Sequence, residues 1–397
     1  MKHLGYRLFQ TGMKIGSYLL PWRSPELFEG AGSLSELPAF LKEKGITSVL
    51  IITDKGIASL GLMDGLLEGL KSEGIRFKVY DKTVPNPTID NIEEALQLYK
   101  ENGLKGIIAF GGGSPMDCAK GVGARVAKPH KTIPQMKGLF KVLKMLPPLV
   151  AIPTTSGTGS ETTVAAVVTD PKTHEKYALM DISLIPRYAV LDPMLTLKLP
   201  PHITSTTGMD VLTHAVEAYI GRANTKRTKQ LSIDATKLVF DNLYEAYLNG
   251  TDIEARANMQ KASHYAGIAF TRAYVGNVHA VAHALGGFYG VPHGLANAVV
   301  LPYVLEYYGK AVYKPLAELW DAASQGGDSQ AQKAKMFIAA VKALNERMNI
   351  PDKISDIDEK DIPKLAEHAY NEANPVYPVP VIFSRKDFEN IFSMIMQ

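Results

Sequence analysis

One cysteine, Cys118, is all the thiol this chain contains. No internal disulfide can form, which suits a reducing cytoplasm rather than an oxidising compartment, and the residue reads as a small packing group. Long apolar runs are also missing. Nothing approaches a membrane span, and the first 21 residues lack the continuous apolar core and small-residue cleavage site of a signal peptide. That segment mixes Leu4, Leu8, Phe9, Ile15, Leu19 and Leu20 with Lys2, Arg7 and Lys14. The pattern predicts an amphipathic helix that packs on the body, joins subunits or touches a membrane surface. Charge of one sign is scarce as well: 43 Lys and Arg against 40 Asp and Glu leave a net +3, too little to argue for nucleic acid. There is no internal repeat and no low-complexity tract. What remains, 397 residues at 46% hydrophobic and 21% charged, is ordinary globular composition with enough chain for two cores.

Histidine is sparse, yet three of the ten fall within fifteen residues, at His279, His283 and His293. His279 and His283 are four apart, so they share a helix face, and Asp210 and His214 upstream repeat that spacing. Asp210, His214 and two of the three clustered histidines would give a first-row divalent ion one carboxylate oxygen and imidazole nitrogens. With no thiolate in the set, Fe(II) or Zn(II) is the natural occupant. Any one of these histidines alone would read as a satisfied core residue; five such residues in two short motifs read as a metal site.

A second region runs from the apolar stretch Ile107–Phe110 into Gly111-Gly112-Gly113-Ser114-Pro115. A buried strand, a turn without Cβ atoms and a proline in the first turn of a helix leave backbone N–H groups at that helix's N-terminus, a cradle for phosphate. The loop is neither Gly-x-Gly-x-x-Gly nor a Walker A motif, so spacing alone supports phosphate binding or a structural turn. A Ser/Thr/Gly turn, Pro153 to Glu161, follows the apolar strand Leu149–Ile152; its hydroxyls suit phosphate, ribose or nicotinamide, or simply the turn. Asp54 ends another strand. A carboxylate there can accept from adenosine ribose hydroxyls and would repel a 2′-phosphate, favouring NAD over NADP; its alternative role is to cap the turn before Gly56.

The pattern changes character near residue 195. Apolar strands at 48–54, 76–80, 106–110, 149–152 and 188–191 alternate with helical patterns at 58–73 and 90–102, as in a parallel sheet with crossover helices. Beyond it, helical periodicity dominates, at 203–220, 228–247, 252–272 and 329–348. The expected organisation is an α/β dinucleotide-binding domain over 1–194, with 1–22 as an extension, then an all-helical metal-binding domain over 195–397. The active site belongs in the cleft between them.

Four segments taken in order resemble the iron-containing (group III) alcohol dehydrogenases: Gly111 to Lys120, Pro153 to Glu161, Gly208 to Tyr219, and His279 to Pro302. The resemblance extends from about Pro25 to the C-terminus. It implies a dehydroquinate synthase-like architecture and a metal held by Asp210, His214, His279 and His293, with His283 beside nicotinamide and substrate. It further implies Gly112, Gly113 and Ser114 at the pyrophosphate, Thr154, Thr155 and Thr158 around phosphates and nicotinamide, and Asn86, Lys176 and Leu195 as additional cofactor contacts. The implied reaction is reversible hydride transfer between a primary alcohol and a nicotinamide; a neutral imidazole accepts a proton near neutral pH, which makes His283 the candidate relay for the alcohol proton. A cytoplasmic homo-oligomer, a dimer, with Fe(II) or Zn(II) and with no nucleic-acid partner is the expectation.

Two other classes remain to be weighed. A lyase on the dehydroquinate synthase plan would need Lys and Arg for an anionic substrate, and none occurs in 208–219 or 278–300. A metal or nucleotide sensor would turn over no alcohol. Within the family, a glycerol-type or lactaldehyde-type polyol dehydrogenase is the nearest rival. Phe270, Tyr274, Phe288 and Tyr289 flank the histidines and can shape an apolar pocket or serve as core.

Overall fold

The computed structural model describes residues 2–173, 175–324, 326–355 and 357–397. The chain divides into two compact units, Pro21–Lys198 and Met1–Leu20 with Leu199–Gln397. After α1 (Lys2–Tyr18), the first unit runs β1 (Glu26–Glu29), α2 (Leu37–Glu43), β2 (Ser48–Ile52), α3 (Lys55–Ser59), α4 (Asp64–Ser72), β3 (Arg76–Tyr80) and α5 (Ile89–Glu101). It continues with β4 (Gly106–Gly111), α6 (Gly113–Ala127), β5 (Gly138–Leu139), β6 (Leu149–Pro153), β7 (Ala165–Thr169), β8 (Lys176–Met180) and β9 (Tyr188–Leu191).

The central strands β2, β4 and β6 are buried at every residue, as parallel strands covered on both faces must be. Their Val, Ile and Leu side chains feed two apolar cores, one containing Ile107 and Leu149, the other Ile51 and Ile108. The sheet is six-stranded and parallel, in the order β1-β9-β6-β4-β2-β3. From β2 the chain steps outward to β3 and then back across to β4, so the winding reverses between β2 and β4. Open parallel sheets bind ligands at such a reversal, beyond the carboxyl ends of the strands. Asp54 and Gly112 follow those two ends.

Two details depart from expectation. The helix expected over 58–73 is two helices, α3 and α4, parted by a turn at Gly61, where φ is +68°. A small second sheet, β5-β8-β7, contains the antiparallel pair β7 and β8, whose half-buried residues give neither a long apolar run nor strict polar alternation.

The second unit is helical: α7 (Pro201–Ile220), α8 (Lys226–Leu248), α9 (Ile253–Ala273), α10 (Asn277–Tyr289), α11 (His293–Tyr308), α12 (Tyr313–Ala323), α13 (Gln330–Arg347), α14 (Ile362–Ala373) and α15 (Arg385–Ile395). One apolar cluster, including Leu212, Val216, Val281, Leu285, Val299 and Phe337, runs through it. Helices α8, α9, α13 and α15 start on a capping side chain, with reciprocal capping boxes at Thr225 and Ser384.

Helix α1 belongs with this helical unit, whereas the division by sequence counted 1–22 with the first domain. The reason lies in its polar side. Arg7 donates to the carbonyls of Val379 and Pro380, Gln10 to those of Pro375 and Tyr377, and Lys14 to that of Arg222. Leu4, Leu8, Ile15 and Leu19 point outward, 61–84% exposed. Among the described residues no helix is long and apolar enough to cross a membrane.

Candidate active site

Helix α7 is buried along nearly its whole length after Gly208, and Asp210 and His214 project from one face of it. His279 lies in the first turn of α10, His283 one turn later, and His293 opens α11 behind Pro292. Gly294 permits that placement: a Cβ there would sit 2.5 Å from the Thr206 carbonyl oxygen of α7. Asp210, His214, His279 and His293 each offer a donor atom, and all four lie within 4.8 Å of one another. Asp210 Oδ1 is 3.5 Å from His293 Nε2, 3.8 Å from His279 Nε2 and 3.9 Å from His214 Nδ1. His283 is left out of this set and stacks on His293, ring centroids 5.1 Å apart.

This donor set fits a divalent cation. One carboxylate and three imidazoles suit Fe(II) or Zn(II). Three of the four already converge on a partly positive group: the buried Asn297 Nδ2 donates to Asp210 Oδ1 at 2.7 Å and lies 3.2 Å from both His279 Nε2 and His293 Nε2. Burial, reinforced by His214, His293 and His283, holds the His279 imidazole well below its usual pKa, in the neutral form that ligates.

Glu217, which sequence reasoning missed, fixes which nitrogen of His279 faces the site. Its Oε2 accepts from His279 Nδ1 at 2.6 Å and from Gly276 N at 2.8 Å, and its Oε1 accepts from Val278 N at 2.8 Å. The carboxylate thus satisfies the N-terminal amides of α10, where Gly276 offers no side-chain cap, and keeps the His279 proton on Nδ1. A Cβ on Gly276 would come within 2.7 Å of Glu217 Oε1, so glycine is what lets the carboxylate in. Burial pushes this carboxyl up to about 7, against the pull of those donors. The available signal was a second carboxylate on the helix of Asp210 and His214, three residues beyond His214.

His283 has its own carboxylate: its Nδ1 lies 2.5 Å from Glu372 Oε1 on α14. Of the flanking aromatics, Phe270 stacks on His214 at 4.1 Å between centroids. Tyr289 is tied to Asp361, and Phe288 packs against His368. Tyr274 ends α9 with φ +68°.

In the α/β unit the expected cofactor residues gather at the β4–α6 turn. A Cβ on Gly112 would meet Thr155 Oγ1 at 3.4 Å, and one on Gly113 would meet Thr158 Cγ2 at 3.1 Å, so the two turns face each other across a gap that side chains would fill. Among the described residues no side chain caps the start of α6 at Gly112, and among them the buried Thr154 Oγ1 has no hydrogen-bond partner. Ser114 Oγ accepts from Asn86 N at 3.2 Å, and Lys176 Nζ donates to Asn86 Oδ1 at 2.6 Å, which brings these three together. Glycine amides, hydroxyls and a lysine around a helix N-terminus fit a dinucleotide's phosphates.

Asp54 caps α3, accepting from Ile57 N at 2.9 Å. Leu195 is 6% exposed and packed in the sheet's core, leaving little surface for a ligand. Asp117 and Lys120, both on α6, hold the opposite turn. Lys120 Nζ donates to Ser160 Oγ, Thr163 Oγ1 and the Ala165 carbonyl, while Asp117 accepts from Ser160 Oγ and Val167 N.

Two family models match in succession, iron-containing alcohol dehydrogenase over residues 24–193 and the Fe-containing alcohol dehydrogenase family C-terminal region over 204–396. The chain belongs to the iron-containing alcohol dehydrogenase family. Alcohol dehydrogenase 4 of Saccharomyces cerevisiae (strain YJM789) is 38% identical over 358 residues, 89% of this chain and 93% of that protein. The 1,3-propanediol dehydrogenase of Citrobacter freundii is 36% identical over 396 residues, 98% of this chain and 99% of that one. Among solved structures, an alcohol dehydrogenase from Oenococcus oeni matches with a TM-score of 0.90 at 35% identity, covering 94% of this chain and 99% of that one. As a member of this family the protein is an oxidoreductase that interconverts alcohols and aldehydes with a nicotinamide cofactor.

Proposed function

We propose that the protein oxidises a primary alcohol, and reduces the matching aldehyde, with NAD and with Fe(II) held by Asp210, His214, His279 and His293. The observation that carries this reading is the convergence of those four donors, with His279 fixed by Glu217. Zn(II) would suit the same donors. When bound, the cation polarises the substrate oxygen and the nicotinamide ring exchanges the hydride.

The side chains do the rest. Oxidation removes a hydride from the substrate carbon and a proton from its oxygen, and His283, next to His293, is placed to take that proton. Gly112, Gly113 and Ser114 with Thr154, Thr155 and Thr158 seat the cofactor phosphates and nicotinamide, and Asn86 with Lys176 closes their rim. Leu195 contributes from the core, by packing under the sheet. Asp54, at the end of β2, supports NAD over NADP, since a carboxylate there repels a 2′-phosphate. We place the enzyme in the cytoplasm, on the strength of its single buried thiol, as a homodimer whose mass light scattering would report.

The test is NADH formation from a panel of primary alcohols and short diols, using anaerobically purified protein reloaded with Fe(II) or Zn(II), beside His279→Ala. Turnover that needs the metal and disappears in the variant is the expected result. Undiminished turnover after metal removal would overturn the assignment, and a preference for NADPH would overturn the role given to Asp54.

A further inference from the structure

We propose that Glu372 is a positioning residue for His283, held to that task by Tyr377; the inference rests on the reading of His283 as the proton acceptor. Three groups line up: His283 Nδ1 is 2.5 Å from Glu372 Oε1, and Tyr377 Oη donates to the same oxygen at 2.7 Å. Burial acts to raise the Glu372 carboxyl, but His283 and the Tyr377 hydroxyl outweigh it and keep the group below its ordinary value, hence ionised. A carboxylate only accepts hydrogen bonds, so the proton of a neutral His283 ring must reside on Nδ1. The lone pair is then on Nε2, and only that tautomer can take a proton from substrate through Nε2. The ring is also fixed in direction, because Nδ1 must keep facing α14.

Tyr377 is itself braced. It lies in the 375–380 segment, whose carbonyls at Pro375, Tyr377, Val379 and Pro380 accept from Gln10 and Arg7 of α1. Arg7 and Gln10 are further joined by a 2.9 Å hydrogen bond. Pro375 to Pro380 thus sits between α1 on one side and the Glu372 carboxylate on the other. The first family match begins at residue 24, so Arg7 and Gln10 lie outside it, while residues 375–380 lie inside the second, over 204–396.

The decisive comparison sets Glu372→Gln, Tyr377→Phe and His283→Ala against the parent enzyme. Kinetics are measured with the metal-loaded protein, and the imidazole tautomers by nitrogen-15 NMR of histidine-labelled, Zn(II)-loaded protein. Gln keeps the shape of Glu372 but can donate to Nδ1 and so move the ring proton to Nε2. Glu372→Gln is expected to lower kcat on the order of 10- to 100-fold, with metal content and the KM for alcohol unchanged and the Nδ1–H signature of one histidine lost. Tyr377→Phe should lower kcat in the same direction by a smaller factor, and it stays informative if Glu372→Gln fails to fold. Full kcat in both Glu372→Gln and Tyr377→Phe, with His283→Ala inactive, would overturn the positioning role while sparing the relay. Full kcat in His283→Ala would overturn the relay and this inference with it.

Discussion

Replacing Glu217 with Gln preserves shape and removes one oxygen from a group that serves three donors. Oε2 accepts from Gly276 N and His279 Nδ1, and Oε1 from Val278 N. If the amide oxygen faces Gly276 and His279, its NH₂ opposes the Val278 N–H, and a buried donor is left unmet at about 1–3 kcal/mol. If the amide flips, it opposes the Gly276 N–H instead and can donate to His279 Nδ1, driving that ring's proton onto the nitrogen that faces Asp210. Removing a carboxyl that burial already pushes up to about 7 offsets part of the loss. The net expectation is therefore about 1–2 kcal/mol of folding stability and a 10- to 100-fold weaker metal site, on the order seen when such outer partners are lost. Zn(II) titration against a chromophoric chelator, with urea unfolding of the metal-free protein, measures both. Affinity within threefold of the parent and an unchanged unfolding midpoint would refute the argument that Glu217 sets the His279 tautomer.

Two further outcomes can be checked independently. Gly294→Ala places a Cβ 2.5 Å from the Thr206 carbonyl, so the first turn of α11 must move and take His293 with it; about 1–3 kcal/mol of stability and much of the bound metal should be lost, read by unfolding and by elemental analysis after dialysis. Cys118 is fully buried, and that burial pushes its thiol up to about 12, so native protein at pH 8 should react negligibly with a thiol reagent while urea-unfolded protein gives one equivalent. Rapid labelling of the native protein would contradict the packing around α6.

The candidate metal donors on α7 and α10 were legible because their signal is local. Asp210 with His214, and His279 with His283, are each four residues apart, and helical geometry turns that spacing into a shared face. The central strands were legible for a similar reason, since β2, β4 and β6 are short apolar runs bounded by turn residues. Glu217 and Glu372 were not, because what each does depends on a partner 62 or 89 positions away. Nothing in a single chain's spacing pairs residues across such distances. Helix α1 was half legible: its amphipathic pattern was plain, but periodicity does not say which face turns inward. The usual preference for burying leucine lost there to Arg7 and Gln10, which found four backbone carbonyls to satisfy. The break at Gly61 was missed because the apolar spacing continues through it.

The seat of α1 has a consequence for the order in which the protein can be completed on the ribosome. Arg7 and Val379 are 372 positions apart in the chain. At synthesis rates of about 5–20 residues per second, α1 waits roughly 20–75 s for the carbonyls it will hold. The whole Pro21–Lys198 unit is made in that interval and can fold within it, and all four candidate metal ligands emerge before the 375–380 segment does. The helical unit, by contrast, encloses the other in sequence and cannot close until both of its pieces exist. A nascent chain stopped after α13 would carry every candidate metal ligand and a finished α/β unit, with α1 still unseated and His283 still without Glu372.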